Sequence, residues 1–329
     1  MGDVKLLSIG DVTYDTFMTP TESEAMCDIR ERECFICFTY GDKIPVKNLE
    51  VSVGGNAANN AVGVTRLGIK TALVTTMGDD EIAETIKIKL NQEGVDLSYL
   101  TVQEKSTSNY STIINYGGER TIFTFRPERI YTFSENLPSV EWAYLTSMAE
   151  NFSEYYDKVV DWVKANNVKL AFNPGSRQIR AGREKIQNVL SETYIVYINR
   201  SEAESLTGML DTHGKEKELL MATCQLGPKI SIITDGGGGA YLFDGQRFYH
   251  SGVLPVDAYE RTGAGDAFGA GCVSALIQGK SINDALLWGT VNSASVIGYI
   301  GSQKGLLRAQ DLPQWLSRAQ SCEVGVREI

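Results

Sequence analysis

Residues 261–271 read RTGAGDAFGAG. Gly263, Ala264 and Gly265 carry no bulky side chains, so several backbone N–H groups can converge on one anion. From Ala267 onward apolar residues recur at helical spacing. The loop therefore opens a helix, whose N-terminus adds positive potential. In its midst stands one carboxylate, Asp266, which would compete with a phosphate for the same donors. Two readings stand side by side. Asp266 is a first-turn aspartate favoured by the helix dipole, or it is a base taking the proton of a hydroxyl that attacks a phosphoryl group held by the loop.

Outward from this stretch, the period of the apolar pattern alternates. Runs 4–9, 71–77, 143–146, 169–172, 194–198 and 229–234 are short, β-branched or aromatic, and all but 143–146 end at Gly, Asn or Asp. Between them lie amphipathic stretches at 57–67, 82–93, 154–165, 215–224 and 264–278. Strands alternating with helices predict βαβ crossovers and a mainly parallel sheet covered on both faces, an α/β/α three-layer fold in one domain over 1–329. Two segments break the rhythm. Residues 12–53 hold strand-like runs without a good helix, and 109–126 (NYSTIINYGGERTIFTFR) reads as a hairpin turning at Tyr116-Gly117-Gly118-Glu119. Paired as a small sheet beside the C-terminal strand edges, they would form a lid. Tyr110, Ile113, Phe123 and Phe125 would leave that sheet an apolar face, and lid-to-lid homodimerisation is expected to cover it.

Composition excludes several partners. With 41 acidic against 31 basic residues the net charge is −10, which argues against nucleic acid or an anionic membrane surface. No run reaches the length of a membrane span, and residues 1–9 lack a signal-peptide pattern, so a cytoplasmic location is expected. Cys34 and Cys37 form a CxxC near Cys27, but His213 and His250 are the only histidines and are remote in sequence. Structural thiols are the expectation, in a buried or half-buried strand with Phe35, Ile36 and Phe38, against a zinc or redox site.

Three further clusters sit at strand ends. Residues 234–239 (TDGGGG) link two strand-like runs, as a hairpin turn or as a backbone approached closely by a ligand. Residues 199–202 (NRSE) place polar groups after the run 194–198. Residues 54–59 (GGNAAN) precede an amphipathic helix. A Walker A sequence is absent, and Gly10-Asp11-Val12-Thr13 stands where a Rossmann GxGxxG would be.

Taken in order, these motifs resemble the ribokinase-like, or PfkB-type, carbohydrate and nucleoside kinases over nearly the whole chain. GGNAAN with Leu67-Gly68 is similar to the family's N-terminal signature, and Met77-Gly78-Asp79-Asp80 to the following strand end. Asn199 to Glu202 matches NxxE, Thr234 to Gly239 matches TxGxxG, and Thr262 to Asp266 matches TGAGD. The resemblance implies a ribokinase-like fold with a β-sheet lid and an ATP-dependent transfer of phosphate to an alcohol of a sugar or sugar-like molecule. It assigns Asp266 as catalytic base and the amides of Gly263, Ala264 and Gly265 as anion hole. Thr234, Gly236 and Gly239 would contact the nucleotide and Asn199 its phosphates. Glu202 would organise Mg²⁺ through water, and Asn292, in a late helix over 284–298, would lie near the adenine. Asp15, Gly55, Asn56 and Asn59 would bind the substrate. Other readings on this scaffold are a nucleoside kinase and a non-catalytic nucleotide or sugar sensor.

The chain departs from the family where Glu260-Arg261 replaces the usual Asp-Thr before TGAGD. That change argues against activation by a monovalent cation, and Arg261 reads as a solvated arginine or a phosphate ligand. Residues 27–41 have no counterpart and would enlarge the lid or an oligomer contact.

Overall fold

The computed structural model describes residues 3–21, 24–28, 33–116, 119–134 and 136–329. The chain begins with β1 (Leu6–Ile9), β2 (Thr13–Pro20), β3 (Glu24–Asp28), β4 (Glu33–Cys37) and β5 (Val46–Gly54). It continues through α1 (Asn56–Arg66), β6 (Thr71–Met77), α2 (Glu81–Gln92) and β7 (Leu100–Val102) to the hairpin strands β8 (Tyr110–Tyr116) and β9 (Glu119–Phe125). Next come β10 (Trp142–Thr146), α3 (Phe152–Asn166), β11 (Lys169–Asn173), α4 (Ser176–Arg180) and α5 (Gln187–Glu192). The nucleotide-loop region follows as β12 (Thr193–Asn199), α6 (Arg200–Thr207), α7 (Glu216–Gln225), β13 (Ile230–Thr234), β14 (Ala240–Phe243) and β15 (Phe248–Ser251). The last elements are α8 (Ala264–Ile277), α9 (Ile282–Val296), α10 (Leu312–Ser321) and β16 (Val326–Glu328).

Ten strands form the main sheet in the order β16-β15-β14-β13-β12-β11-β10-β1-β6-β7. The pairings from β13 to β7 are parallel, and the three that join β13, β14, β15 and β16 are antiparallel. Every residue of β6 and β10 is buried, as expected for parallel strands covered on both faces. Alternate residues feed two cores. Leu7, Ile9 and Leu145 pack with α3 on one side, and Leu6 and Tyr144 pack with Phe268 of α8 on the other. β1 pairs with β6 on one edge and β10 on the other, so the chain reverses its winding direction at β1. Such switch points open a crevice beyond the strand C-termini, where α/β sheets bind ligands.

A separate four-stranded sheet, β5-β2-β8-β9, stands apart from the main one. Its register puts Asp15 opposite Ser52 and Ser111, with Ser111 opposite Thr124. On the other face Thr16 lies between Val51 and Thr112, and Thr112 opposite Phe123. Leu49, Val51, Phe123 and Phe125 are 61%, 46%, 60% and 54% exposed there, apolar side chains on both edge strands of that face. Ile113 is not part of it. The two-residue period turns Ile113 to the Asp15 face, where it is buried.

The unmatched segment forms a hairpin, β3 against β4; residues 29–32 within it, like the turn at Gly117-Gly118, lie outside the described residues. Phe35 is exposed and Phe38 marginally so, more open than the buried or half-buried strand expected. Cys37 is a free thiol. The side chains of Cys27 and Cys34, and with them the expectation for their thiols, lie outside what the structure describes.

Candidate active site

Asp15 ends one wall of the crevice. Gly54, opposite Thr13 on the adjoining strand, has no side chain because the Asp15 carboxyl occupies the space a Cβ would need, with Asp15 Cγ only 2.8 Å from that position. Burial pushes the Asp15 pKa up to about 6, although Ser111, Arg126 and Thr13 pull it down. Its Oδ1 is buried without a hydrogen-bond partner. An unpaired buried acceptor is costly, and Asp15 lines a cavity of about 440 Å³ that also receives Gly55, Asn56, Asn59, Glu202 and Asp266.

Asp266 closes the opposite side. Gly263 precedes α8 with φ 81°, a conformation that glycine adopts freely, and a Cβ there would lie 2.5 Å from Ser302 Cβ. The turn delivers Asp266 into the first turn of α8, buried. Its Oδ2 accepts a 2.7 Å hydrogen bond from Asn59 Nδ2. Asn59 is itself held, its Oδ1 accepting from Ser302 Oγ at 2.9 Å and Gln303 Nε2 at 3.1 Å. Burial drives the Asp266 pKa up to about 6; Asn59 opposes this, and the charges of Glu202 and Asp15 add to it. A carboxylate with such a pKa is ionised at pH 7 yet still able to accept a proton.

The loop 263–266 divides two cavities. Gly263 and Asp266 line the first. Ala264 and Gly265 line a second, of about 590 Å³, together with Asn199, Thr234, Gly236 and Gly239. Residues 234–239 prove to be a hairpin turn as well as a wall, since β13 and β14 are antiparallel with Thr234 opposite Ala240. Arg200 anchors this turn, with Nε and Nη2 each 2.8 Å from an Asp235 carboxylate oxygen and Nη2 2.9 Å from Glu216. Apolar side chains such as Val253, Val256 and Phe268 complete the cavity. Its shape and polarity suit a flat base beside a polyphosphate.

Asn199 and Glu202 cap α6 reciprocally. Asn199 Oδ1 accepts from Glu202 N, and Glu202 Oε2 from Asn199 N, both at 2.9 Å. Asn199 thus borders the second cavity and Glu202 the first. Desolvation raises the Glu202 pKa.

Asn292 departs from its expected place. It is fully buried, donating from Nδ2 to Ala267 O at 2.7 Å and accepting at Oδ1 from Leu307 N at 2.9 Å. It ties α8 to the segment after α9. Thr290, Ser293, Ala294 and Ile297, on the adjoining helical face, line the second cavity instead.

The crevice also holds residues the motifs did not flag. Asp11 accepts from Tyr131 Oη at 2.7 Å, and burial pushes its pKa up to about 6. Arg120, Arg126, Arg177 and Arg180 all line the first cavity. Glu260 accepts from Thr262 N at 2.9 Å and Gly301 N at 3.3 Å, and lies 3.8 Å from Arg120. Arg261 borders the second cavity.

Two binding cavities sharing one helix N-terminus, with a carboxylate on the partition, suit transfer of a group between two bound molecules, and the protein is a kinase of small hydroxylated molecules. More narrowly, residues 19–309 match the model of the pfkB family of carbohydrate kinases, and the chain belongs to that family. It is 27% identical to ribokinase of Haemophilus influenzae over 291 residues, covering 85% of this chain and 92% of the relative. It is 24% identical to ATP-dependent 6-phosphofructokinase of Thermoanaerobacterium thermosaccharolyticum over 307 residues, 89% of this chain and 90% of that one. The structure of Arabidopsis thaliana ribokinase complexed with ribose and ATP matches 96% of this chain and 99% of its own with a TM-score of 0.78 at 20% identity. The fold is ribokinase-like, a large, mostly parallel sheet between helices with a smaller separate sheet.

Proposed function

We propose that the protein transfers the γ-phosphoryl group of ATP to a hydroxyl of a sugar held between Asp15 and Asp266. The observation that carries this is Asp266 itself, buried on the partition and oriented by Asn59. Asp15, in the wall of the first cavity, accepts hydrogen bonds from substrate hydroxyls. Asp266 takes the proton of the attacking hydroxyl, while the amides at Gly263, Ala264 and Gly265 receive charge developing on the phosphoryl oxygens. Thr234, Gly236 and Gly239 support the nucleotide.

The residues present fit Mg²⁺. Among the described residues no cluster of three or more His, Cys, Asp or Glu forms a metal cage, but Mg²⁺ is commonly held by substrate phosphates, water and one or two carboxylates. Glu202, whose Oε2 is engaged by Asn199, would hold it through water, and Asn199 Nδ2 would meet the phosphates. The ion would neutralise phosphate charge.

Among the described residues no aromatic side chain lines the first cavity. A nucleobase would find no stacking surface there, which favours a sugar over a nucleoside. The decisive assay measures ADP release from Mg-ATP with pentoses, hexoses, sugar phosphates, sugar acids and nucleosides. Sugar-dependent release is expected. Release with nucleosides alone would replace the sugar reading, and release with none would favour a sensor.

The whole chain acts as one kinase domain in this reading, the small sheet closing over the sugar as its lid. Its apolar outer face, with Leu49, Val51, Phe123 and Phe125, is covered by the lid of a second copy. Light scattering at micromolar concentration is expected to give a dimer; a strict monomer removes this pairing. Among the described residues no helix is long and apolar enough to cross a membrane, and the proposed setting is the cytoplasm.

A further inference from the structure

The substrate cavity contains more positive charge than a neutral sugar requires. Hydroxyls are satisfied by carboxylates, amides and other hydroxyls, all of which this cavity supplies. Yet Arg120 and Arg126 also reach it from the small sheet, and Arg177 and Arg180 from α4 on the main body. The chain as a whole carries a net charge of −10, so four arginines converging on one space run against its composition. No lysine lines that space among the described residues. Guanidinium groups in place of ammonium groups point to planar, two-pronged recognition of a phosphate or carboxylate.

The strand pattern accounts for two of them. Arg120, Ile122, Thr124 and Arg126 alternate along β9 and its end, so all four face the cavity, while Phe123 and Phe125 face outward. Arg126 is half-buried, and desolvation lowers its pKa. Its Nη1 makes every bond it has, to Thr13 Oγ1 at 3.2 Å, Tyr110 O at 3.4 Å, Ser111 Oγ at 3.5 Å and Phe125 O at 3.2 Å. Nε and Nη2 have no protein partner among the described residues. Asp11 and Asp15 influence it through space, but neither forms an ion pair with it. A partly desolvated cation without a paired anion is unfavourable.

The other arginines are loosely engaged. Arg177 Nη1 meets Glu150 at 2.8 Å, but the Glu150 side chain is 84% exposed, so the pair is weak and readily exchanged. Arg120 lies 3.8 Å from Glu260. Arg180 Nε donates only to Ser176 O at 3.2 Å.

We infer that the sugar carries a second anionic group, a phosphate or a carboxylate away from the reacting hydroxyl, gripped between Arg120 and Arg126 on the lid and Arg177 and Arg180 on α4. This rests on the sugar-kinase reading above and narrows it to sugar phosphates and sugar acids. Because the arginines come from both parts of the molecule, the anion itself draws the small sheet toward the main body.

Binding separates this inference from turnover. Calorimetry on the Asp266→Asn protein uses matched sets: glucose, glucose 6-phosphate and gluconate; fructose and fructose 6-phosphate; ribose and ribose 5-phosphate. In at least one set an anionic member is expected to bind about 10- to 100-fold more tightly than its neutral parent. Comparing phosphate with carboxylate members identifies which group is recognised. Arg126→Ala and, at the more exposed site, Arg177→Ala should each erase most of that preference, with melting temperatures confirming folded protein. Equal binding of neutral and anionic members in every set, or binding of none, overturns the inference. So does a wild-type-like preference in both variants. An anion preference without ADP release by the wild-type protein would sustain the inference and sink the kinase reading.

Discussion

Replacing Asp266 with Asn is expected to lower kcat about 10²- to 10⁴-fold, the usual cost of losing a general base, while ATP still binds. The amide keeps the shape and can accept from Asn59 Nδ2, but it cannot take a proton. The same substitution should raise the melting temperature at pH 7. The folded-state pKa of about 6 lies above the ordinary 3.8, so the stability linked to the raised pKa is present below 3.8 and lost as pH rises through about 6. The uncharged amide of the variant escapes that loss. In the wild-type protein kcat/KM should fall as pH drops through about 6, because the base becomes protonated. Asp15 titrates in the same range, so the acid limb belongs to the two groups jointly. Near-normal turnover by the Asn variant, or a flat rate between pH 5 and pH 7, would remove Asp266 from the chemistry.

Asp15→Ala is expected to raise the sugar KM about 10- to 100-fold for each charge-assisted hydrogen bond to a hydroxyl that it removes, with the KM for ATP little changed. The asymmetry follows from placement. Asp15 belongs to the small sheet and lines the first cavity, whereas Thr234, Gly236 and Gly239 line the second. An unchanged sugar KM would place the substrate elsewhere.

Much of this architecture was legible in the sequence because local chemistry and tertiary role coincide there. The run 71–77 is β6, and TGAGD lies where helical periodicity and glycine content both say a helix opens. The small sheet was readable because strand runs without helices have few other ways to pair. Asn292 was misplaced because position along a helix does not fix azimuth: two residues of offset rotate a side chain by more than half a turn. Ile113 was misplaced by the analogous strand rule, since odd and even residues take opposite faces. The arginines carried a signal that went unused. Arg120 and Arg126 share the parity that Ser111 has through its pairing with Thr124, but Arg177 and Arg180 lie on α4, a five-residue helix with no motif to mark it. Only the folded chain shows that the two pairs meet.

The hydrogen bond between Asn59 and Asp266 joins residues 207 positions apart, and this separation governs when, during synthesis, the site can form. β1 is synthesised well before β10, yet it is an interior strand that pairs with it. Contacts of such span form only after a large loop-closure entropy has been overcome, so they come late and slow the search. A growing chain that has completed the small sheet and α1 possesses Asp15 and Asn59 but lacks the wall that α8 brings. Until then its apolar strand faces are open to wrong pairings. Capacity to bind sugar is thus acquired near the end of synthesis, when the last third of the chain docks onto the first.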